Sequence, residues 1–255
     1  MPTTELPAAE LAPYTGAQLR FARAAWPLRA ANELTSALVF RELARTARRA
    51  ALPSPWPARL ASAAHDEIRH ARLCVAVGAS MGADPPRYDV HAVRARARAL
   101  ADPLARAASM LLVEVAIGET ISMLLFRAGS RAATEPRTRA VLGAIARDEA
   151  RHQRLGWSAL VAVGPLLPVS VEASLEREAA RGLAASERTI AVPAMRWLEE
   201  KRPFDPAWAA LGVLAPEARV EAFYRAVERM VLPRLTAIGV DATRAWQQRY
   251  RSRRA

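Results

Sequence analysis

The motif Asp-Glu-x-Arg-His occurs twice in this chain of 255 residues, and it constrains the fold more than any other feature. One copy spans residues 66–70 and the other spans residues 148–152, each within an apolar stretch of helical composition. Because a helix advances about 100° per residue, the Glu and the His of each copy lie on one helix face, a turn apart. A single pair of this kind is usually solvated, whereas two copies in apolar helices predict a pair of facing metal half-sites.

The composition favours an all-α fold and excludes several kinds of site. Glycine is sparse, with 11 residues, whereas Ala, Leu and Arg are abundant. The single cysteine, Cys74, excludes an intramolecular disulfide and any cysteine-based zinc or iron–sulfur site. The N-terminus lacks the basic region and apolar run of a secretory signal, and charged residues interrupt the apolar runs before about 18 residues. We therefore expect a cytoplasmic protein without a membrane helix.

The net charge of +12 is carried almost entirely by arginine, since Lys201 is the only lysine. One interpretation is the compositional bias of a GC-rich genome. The other is attraction to an anionic partner such as tRNA or an acyl carrier protein. The arginines are spread through the predicted helices, with one dense cluster in the tail at residues 249, 251, 253 and 254. This spread favours the compositional interpretation over nucleic-acid binding.

Four long helices are predicted between residues 28 and 165, and they indicate a four-helix bundle. Residues 1–27 are predicted to be an irregular leader, and the stretch between the second and third helices is predicted to be a long crossover outside the bundle. Ser-Pro and Asp-Pro pairs are typical of an N-cap followed by a first-turn proline. The predicted helix bounds are about Leu28 to Arg49, Ser54 to between Gly78 and Gly82, Asp102 to Ala133, and Thr134 to Val163.

Residues 166–255 are predicted to form a C-terminal helical extension that packs on the bundle. Helical composition covers residues 169–186, 217–238 and 242–251, and prolines divide the pieces between the first two. The region contains no histidine, so it is not expected to supply a histidine ligand. Three roles are open for it: covering the end of the bundle, shaping a substrate entrance, or making an oligomer contact such as a homodimer.

Internal similarity selects the remaining ligands. An offset of 86 residues aligns Glu33 with Glu119 together with several neighbouring residues of the first and third helices. The rival acids fail the same test, because Glu42 aligns with Ala128 and Glu114 aligns with a leucine. The motif copies themselves are offset by 82 residues, and a longer first hairpin loop accounts for the difference. The predicted metal ligands are Glu33, Glu67, His70, Glu119, Glu149 and His152.

Four carboxylates and two imidazoles without a thiolate are suited to two iron or manganese ions. Four negative charges against two divalent cations give a neutral site, which lowers the electrostatic penalty of burying it. In carboxylate-bridged di-iron bundles, two helices each contribute a Glu-x-x-His pair and two others each contribute a lone Glu. The predicted ligand set has this composition.

Over residues 28–163 the pattern resembles the ferritin-like di-iron carboxylate superfamily, and Asp-Glu-x-Arg-His is similar to the motif of di-iron oxygenases and of the ribonucleotide reductase small subunit. The resemblance implies that Glu67 and Glu149 bridge two metals and that the lone Glu residues are terminal ligands. It further implies that Asp66 and Asp148 orient the histidines from behind. The alternative for these two aspartates is simple solvation. The implied cofactors are two Fe, or Mn/Fe or Mn, with O₂ as co-substrate.

The two arginines of the motif copies have two alternative roles, and two further histidines are expected at the surface. Arg69 and Arg151 either form salt bridges behind the ligands or lie on the outer face. His65 and His91 have no partner in the repeat and are expected at the surface.

The expected function is that of an O₂-dependent di-iron oxidase or oxygenase that hydroxylates, N-oxygenates or desaturates a small organic substrate with an external electron donor. A minimal ferritin subunit does not need residues 166–255, which argues against an iron-storage protein. The arginine excess also argues against the acidic surface on which such a protein nucleates its mineral. The four tyrosines lie outside the four predicted bundle helices, which argues against a tyrosyl radical. The alternatives are a ferroxidase, iron-storage or encapsulated ferritin-like protein, a bundle with a structural metal, and a tRNA-modifying hydroxylase.

Overall fold

The computed structural model describes residues 6–87 and 102–249, and within these ranges it contains helices and turns but no β-strand. The predicted all-α class is therefore confirmed. Most of the predicted crossover, including His91, and the arginines at 251, 253 and 254 lie outside the described residues. The helices are α1 (Gly16–Arg49), α2 (Trp56–Ser80), α3 (Pro103–Ala132), α4 (Pro136–Val163), α5 (Val169–Glu199), α6 (Pro206–Ala210), α7 (residues 216–237) and α8 (Ala242–Gln248).

Helix α1 begins at Gly16, so the irregular leader predicted for residues 1–27 is wrong from residue 16 onward. Thr15 caps the helix in a capping box, in which its hydroxyl accepts from the Gln18 N–H and the Gln18 side chain accepts from the Thr15 N–H. Pro27 lies inside the helix. A proline removes one backbone hydrogen bond, but the fully buried Trp26 beside it packs the helix into the core. Helix α5 likewise continues through Pro193 beyond its predicted end at residue 186.

The predicted starts of α2, α3 and α4 lie close to the observed ones. Asp102 caps α3 by accepting a hydrogen bond from the Ala105 N–H at 2.6 Å. Glu135 caps α4 by accepting from the Thr138 N–H at 2.7 Å. Helix α2 differs, because its N-cap is Pro55 and it has no side-chain cap, so the predicted cap at Ser54 is wrong by one residue.

The first four helices pair as two hairpins, α1 along α2 and α3 along α4, and the hairpins meet through α2 against α4 and α1 against α3. One apolar core runs between them, with Leu43, Leu60, Leu112 and Leu160 contributed by α1, α2, α3 and α4. Each fully buried leucine of this kind contributes roughly 2 kcal/mol of apolar burial. The apolar faces of the four helices therefore meet in this core.

The C-terminal helices share this core. Leu183 of α5 and Phe223 of α7 are fully buried in the same cluster. Arg249, just after α8, belongs to a buried polar network, in which its guanidinium donates to Glu187 at 3.1 Å and the Tyr224 hydroxyl donates to Glu187 at 2.8 Å. One carboxylate of α5 thus joins α7 to the end of α8.

Helix α3 contains a π-helical segment, Leu111–Gly118, immediately before Glu119. Helix α4 approaches this segment closely at Gly156, where a Cβ atom would lie 2.7 Å from the Ala116 backbone nitrogen. A π segment inserts an extra residue into a helix and is frequent at functional sites. It shifts the register of α3 just ahead of a predicted metal ligand.

By length and composition alone, Pro103–Ala132 could cross a membrane. Its most apolar 18-residue window is 61% buried within the fold. Packing against the neighbouring helices therefore accounts for the apolar character of α3.

Candidate metal centre

The six predicted ligands come together in one buried cluster between the two hairpins. Each of these side chains is at most 6% exposed, although all six can carry charge. Buried acids are rare unless they are paired or bind a metal. The six are Glu33 on α1, Glu67 and His70 on α2, Glu119 on α3, and Glu149 and His152 on α4.

The cluster divides into two groups of four ligand atoms that share two residues. One group is Glu33, Glu67, His70 and Glu149, and the other is Glu67, Glu119, Glu149 and His152. Within each group the potential ligand atoms lie within 4.8 Å of one another. Two carboxylates therefore belong to both groups, and one lone Glu belongs to each.

The rival acids lie outside these two groups. Glu42 is half-buried, and its carboxylate lies 3.5 Å from Arg45 in a pair along α1. Glu114 is half-buried within the π segment. The internal repeat thus distinguished the acids that meet in the cluster from those that do not.

The Nδ1 atoms of both histidines face the shared carboxylates. His152 Nδ1 lies 2.8 Å from one oxygen of Glu67 and His70 Nδ1 lies 3.4 Å from the other. Neither nitrogen has a well-oriented hydrogen bond, and both Glu67 oxygens and Glu149 Oε2 also lack one in the part of the chain that the structure describes. Buried polar atoms normally have partners. These nitrogen and oxygen atoms point toward shared positions between the side chains, as the ligand atoms of a bound cation do.

Each histidine is held from behind by an aspartate of the other hairpin. Asp148 Oδ2 lies 3.1 Å from Nε2 of His70, and Asp66 Oδ2 lies 3.3 Å from Nε2 of His152. A carboxylate accepts, so Nε2 carries the proton in these hydrogen bonds and Nδ1 is the atom directed into the cluster. The two aspartates are therefore more than solvated residues, and each fixes the orientation of an imidazole.

Two arginines neutralise the aspartates. Arg69 lies 2.8 Å from Asp66 and also contacts Asp148 directly. Arg151 lies 2.6 Å from Asp148 and 3.6 Å from Asp66. Burial opposes ionisation of Asp148, but the hydrogen bond from His70 and then the ion pairs with Arg69 and Arg151 hold its pKa below the usual range. Of the two roles open for the arginines, the salt bridges behind the ligands are the one observed.

The carboxyl groups of the cluster differ in their affinity for protons. Burial raises the pKa of Glu33 to about 7. Burial, with repulsion from neighbouring carboxylates, raises the pKa values of Glu119 and Glu149 well above the usual range. Burial also opposes ionisation of Glu67, but the two imidazoles hold its pKa at about 2. These three acids therefore hold protons more tightly than free carboxyl groups do, and a divalent cation would compete with those protons.

The two imidazoles of the cluster also have raised pKa values. Burial alone would lower the pKa of His70, but hydrogen bonding to Asp148 and the nearby carboxylates raises it to about 12. The pKa of His152 is raised to about 9 against the same opposing effect of burial. Protons and metal ions therefore compete for the Nδ1 atoms.

The surroundings of the cluster are mostly apolar. Phe40 packs edge-on against His152 with the ring centroids 5.3 Å apart. Trp157 is buried, and its indole N–H donates to Thr120 at 3.0 Å.

His65 is exposed, as expected, and lies on α2 outside both ligand groups.

The tyrosines that the structure describes are not among the cluster residues. Tyr14 precedes α1, and Tyr224 donates to Glu187 in the C-terminal network. Tyr88 and Tyr250 lie outside the described residues.

A basic cleft of about 430 Å³ lies apart from the cluster, between α1 and α2. Three exposed arginines and one exposed histidine line it above a floor of small apolar residues. Positive charge concentrated in a cleft attracts anions. The four cationic or titratable residues are Arg41, Arg45, Arg48 and His65.

A scan against protein-family models gives no match for this chain, and a search of curated proteins gives none either. The chemistry of the chain is therefore inferred from the buried cluster and its surroundings.

Proposed function

We propose that the protein is an O₂-dependent di-iron oxidase or oxygenase of the ferritin-like type that acts on a small organic substrate in the cytoplasm. The observation that carries this proposal is the pair of four-residue groups that share Glu67 and Glu149. Two metal ions bridged by two carboxylates, each with one imidazole and one terminal carboxylate, require this composition.

The chemistry of the donor atoms suits iron or manganese. Six oxygen- and nitrogen-bearing residues without sulfur favour hard or borderline divalent ions. The aspartate–arginine pairs behind the histidines are balanced, so four ligand carboxylates remain to neutralise two divalent cations. Buried ligand atoms that lack hydrogen-bond partners are consistent with such ions.

Each residue has a distinct part in holding the metals. Glu67 and Glu149 would hold both metal ions, and Glu33 and Glu119 would hold one ion each. His70 and His152 bind through Nδ1 because aspartates occupy their Nε2 atoms. When bound, a pair of iron ions supplies O₂ activation, with electrons from an external donor, for oxidation of an organic substrate.

The arrangement of the first four helices supports the ferritin-like part of the proposal. Each hairpin brings one lone Glu on its first helix and one Glu-x-x-His pair on its second. Such pairs projecting inward from facing helices define the di-iron carboxylate bundles. The domain formed by residues 28–165 remains a prediction, and helix α1 begins before it, at Gly16.

The proposal is tested by metal reconstitution. The chain is loaded with Fe(II) under reducing conditions, desalted and measured by elemental analysis, and two iron ions per chain are expected. A Glu67→Ala, Glu149→Ala double variant should lose both ions, whereas His65→Ala, a surface change on the same helix, should keep them. Absence of bound metal in the reconstituted wild-type chain would overturn the proposal.

Oxygen uptake and assembly size then separate an enzyme from an iron-storage protein. An enzyme is expected to be a monomer or dimer in light scattering, and its O₂ uptake should depend on an electron donor. A storage protein instead forms a large cage and continues to oxidise added Fe(II). A cage would favour the ferroxidase or storage alternative.

A tRNA-modifying hydroxylase is a second candidate because the basic cleft could hold a polyanion. It predicts tRNA binding that weakens with salt and with replacement of Arg41, Arg45 and Arg48 by Gln. Equal tRNA binding by the wild-type and triple-variant chains would exclude this use of the cleft.

A further inference from the structure

A small pocket of about 170 Å³ lies between α1, α5 and the chain from α6 to the start of α7. Aromatic and aliphatic side chains form most of its wall, and one charged side chain, Arg219, reaches it. An apolar cavity of about 150 Å³ is large enough to bind benzene. The principal lining residues are Phe21, Pro193, Trp197, Phe204, Leu214 and Arg219.

The aromatic wall is held by ring-to-ring packing. Phe21 stacks on Trp208 with centroids 4.0 Å apart and an interplanar angle of 16°. Trp197 meets Phe21 edge-on at 6.1 Å, and Phe204 meets Trp208 edge-on at 5.4 Å. Interlocked rings of this kind keep their positions, so the pocket is preformed for a flat apolar group.

One guanidinium group, that of Arg219, lies at the charged side of this pocket. Arg219 is half-buried and has no acid within ion-pair distance in the part of the chain that the structure describes. Arg29 does not line the pocket, because its Nη2 donates to the Gly212 carbonyl at 3.1 Å and its guanidinium lies over the Trp26 ring. A cation in an otherwise apolar wall, with no acid of the chain beside it, favours an anionic ligand.

We propose that this pocket binds a small carboxylic acid with an apolar, preferably aromatic, body, and that its carboxylate pairs with Arg219. One guanidinium group can bind both oxygens of a carboxylate. The otherwise apolar wall offers few donors for the additional oxygens of a phosphate. The body of the acid then packs against Phe21, Trp197 and Phe204.

The test measures binding of benzoate, phenylacetate and hexanoate to the full-length chain by tryptophan fluorescence and calorimetry, with phenylacetamide as the uncharged control. At least one acid is expected to bind, and the amide at least about tenfold more weakly, since a charge-assisted hydrogen bond is worth about 1.5–3 kcal/mol. Arg219→Gln should weaken acid binding about tenfold or more. Arg225→Gln, an exposed change on the same helix, should leave it unchanged.

Several results would overturn the proposal: no binding of any of the three acids, equal binding of acid and amide, or displacement of the acid by equimolar inorganic phosphate. Arg219→Lys keeps the charge and should recover part of the affinity, which separates loss of the cation from misfolding. Binding by the Glu67→Ala, Glu149→Ala chain should persist, because the pocket does not use the metals. Failure of the metal centre and failure of the acid pocket are therefore distinguishable.

Discussion

The close approach of α4 to the π segment makes a quantitative prediction for Gly156→Ala. The added Cβ would lie 2.7 Å from the Ala116 nitrogen and 2.9 Å from the Val115 carbonyl carbon. Both atoms belong to the backbone and cannot rotate away. Overpacking a core costs about 1–3 kcal/mol, and replacing a helical glycine by alanine returns about 1 kcal/mol. The difference lies between about 0 and 2 kcal/mol, and because both contacts are with backbone we expect a loss near the upper end, about 2 kcal/mol in the free energy of unfolding.

The expected loss is measured by urea denaturation, together with the iron content after reconstitution. Relaxation of the clash would move the π segment and, with it, Glu119, so iron loading should also fall. Gly143→Ala on the same helix is the matched control, because its nearest neighbour is the rotatable Ser130 hydroxyl at 3.1 Å. The control should lie within about 0.5 kcal/mol of the wild type or be more stable. Wild-type stability and full iron loading in Gly156→Ala would refute the reasoning.

Three further predictions concern the metal centre. Asp148→Asn removes the anionic acceptor of His70 and two arginine contacts, so metal affinity in chelator competition should fall about 10–100-fold; unchanged affinity would contradict the orienting role. Glu33→Gln should lose iron while Glu42→Gln on the same helix keeps it, and equal loading of the two variants would reject the ligand assignment. Acids with raised pKa must lose protons to bind metal, so affinity should rise between about pH 6 and pH 8 with protons released in weak buffer; a pH-independent affinity would contradict this.

Local patterns in the sequence predicted the parts of the structure that depend on local chemistry. The three-residue spacing of Glu and His placed both on one face, and the offset of 86 residues selected Glu33 and Glu119 over the rival acids. The helix cap at Asp102 was predicted for the same reason, since a cap joins residues three apart.

The features that were missed depend on contacts between distant segments. Pro193 was expected to divide short helical pieces because a helix interior tolerates proline poorly, yet α5 continues through it, as α1 continues through Pro27. The π segment lies where α4 approaches α3 closely at Gly156, and no local pattern reports such a contact. The acid pocket joins α1, α5 and α7, so its lining residues lie far apart in the sequence.

The exchange of aspartates between the hairpins links the motif to the stability of the whole site. Each copy of Asp-Glu-x-Arg-His supplies a histidine to one group of ligands and an aspartate to the histidine of the other. Neither hairpin therefore contains a complete half-site, and the imidazoles are oriented only when the two hairpins pack together. The arginines of both copies cancel the charge of the aspartates at the rim. What remains inside is the charge of four carboxylates, so bound cations would stabilise the contact between the hairpins as well as supply the chemistry.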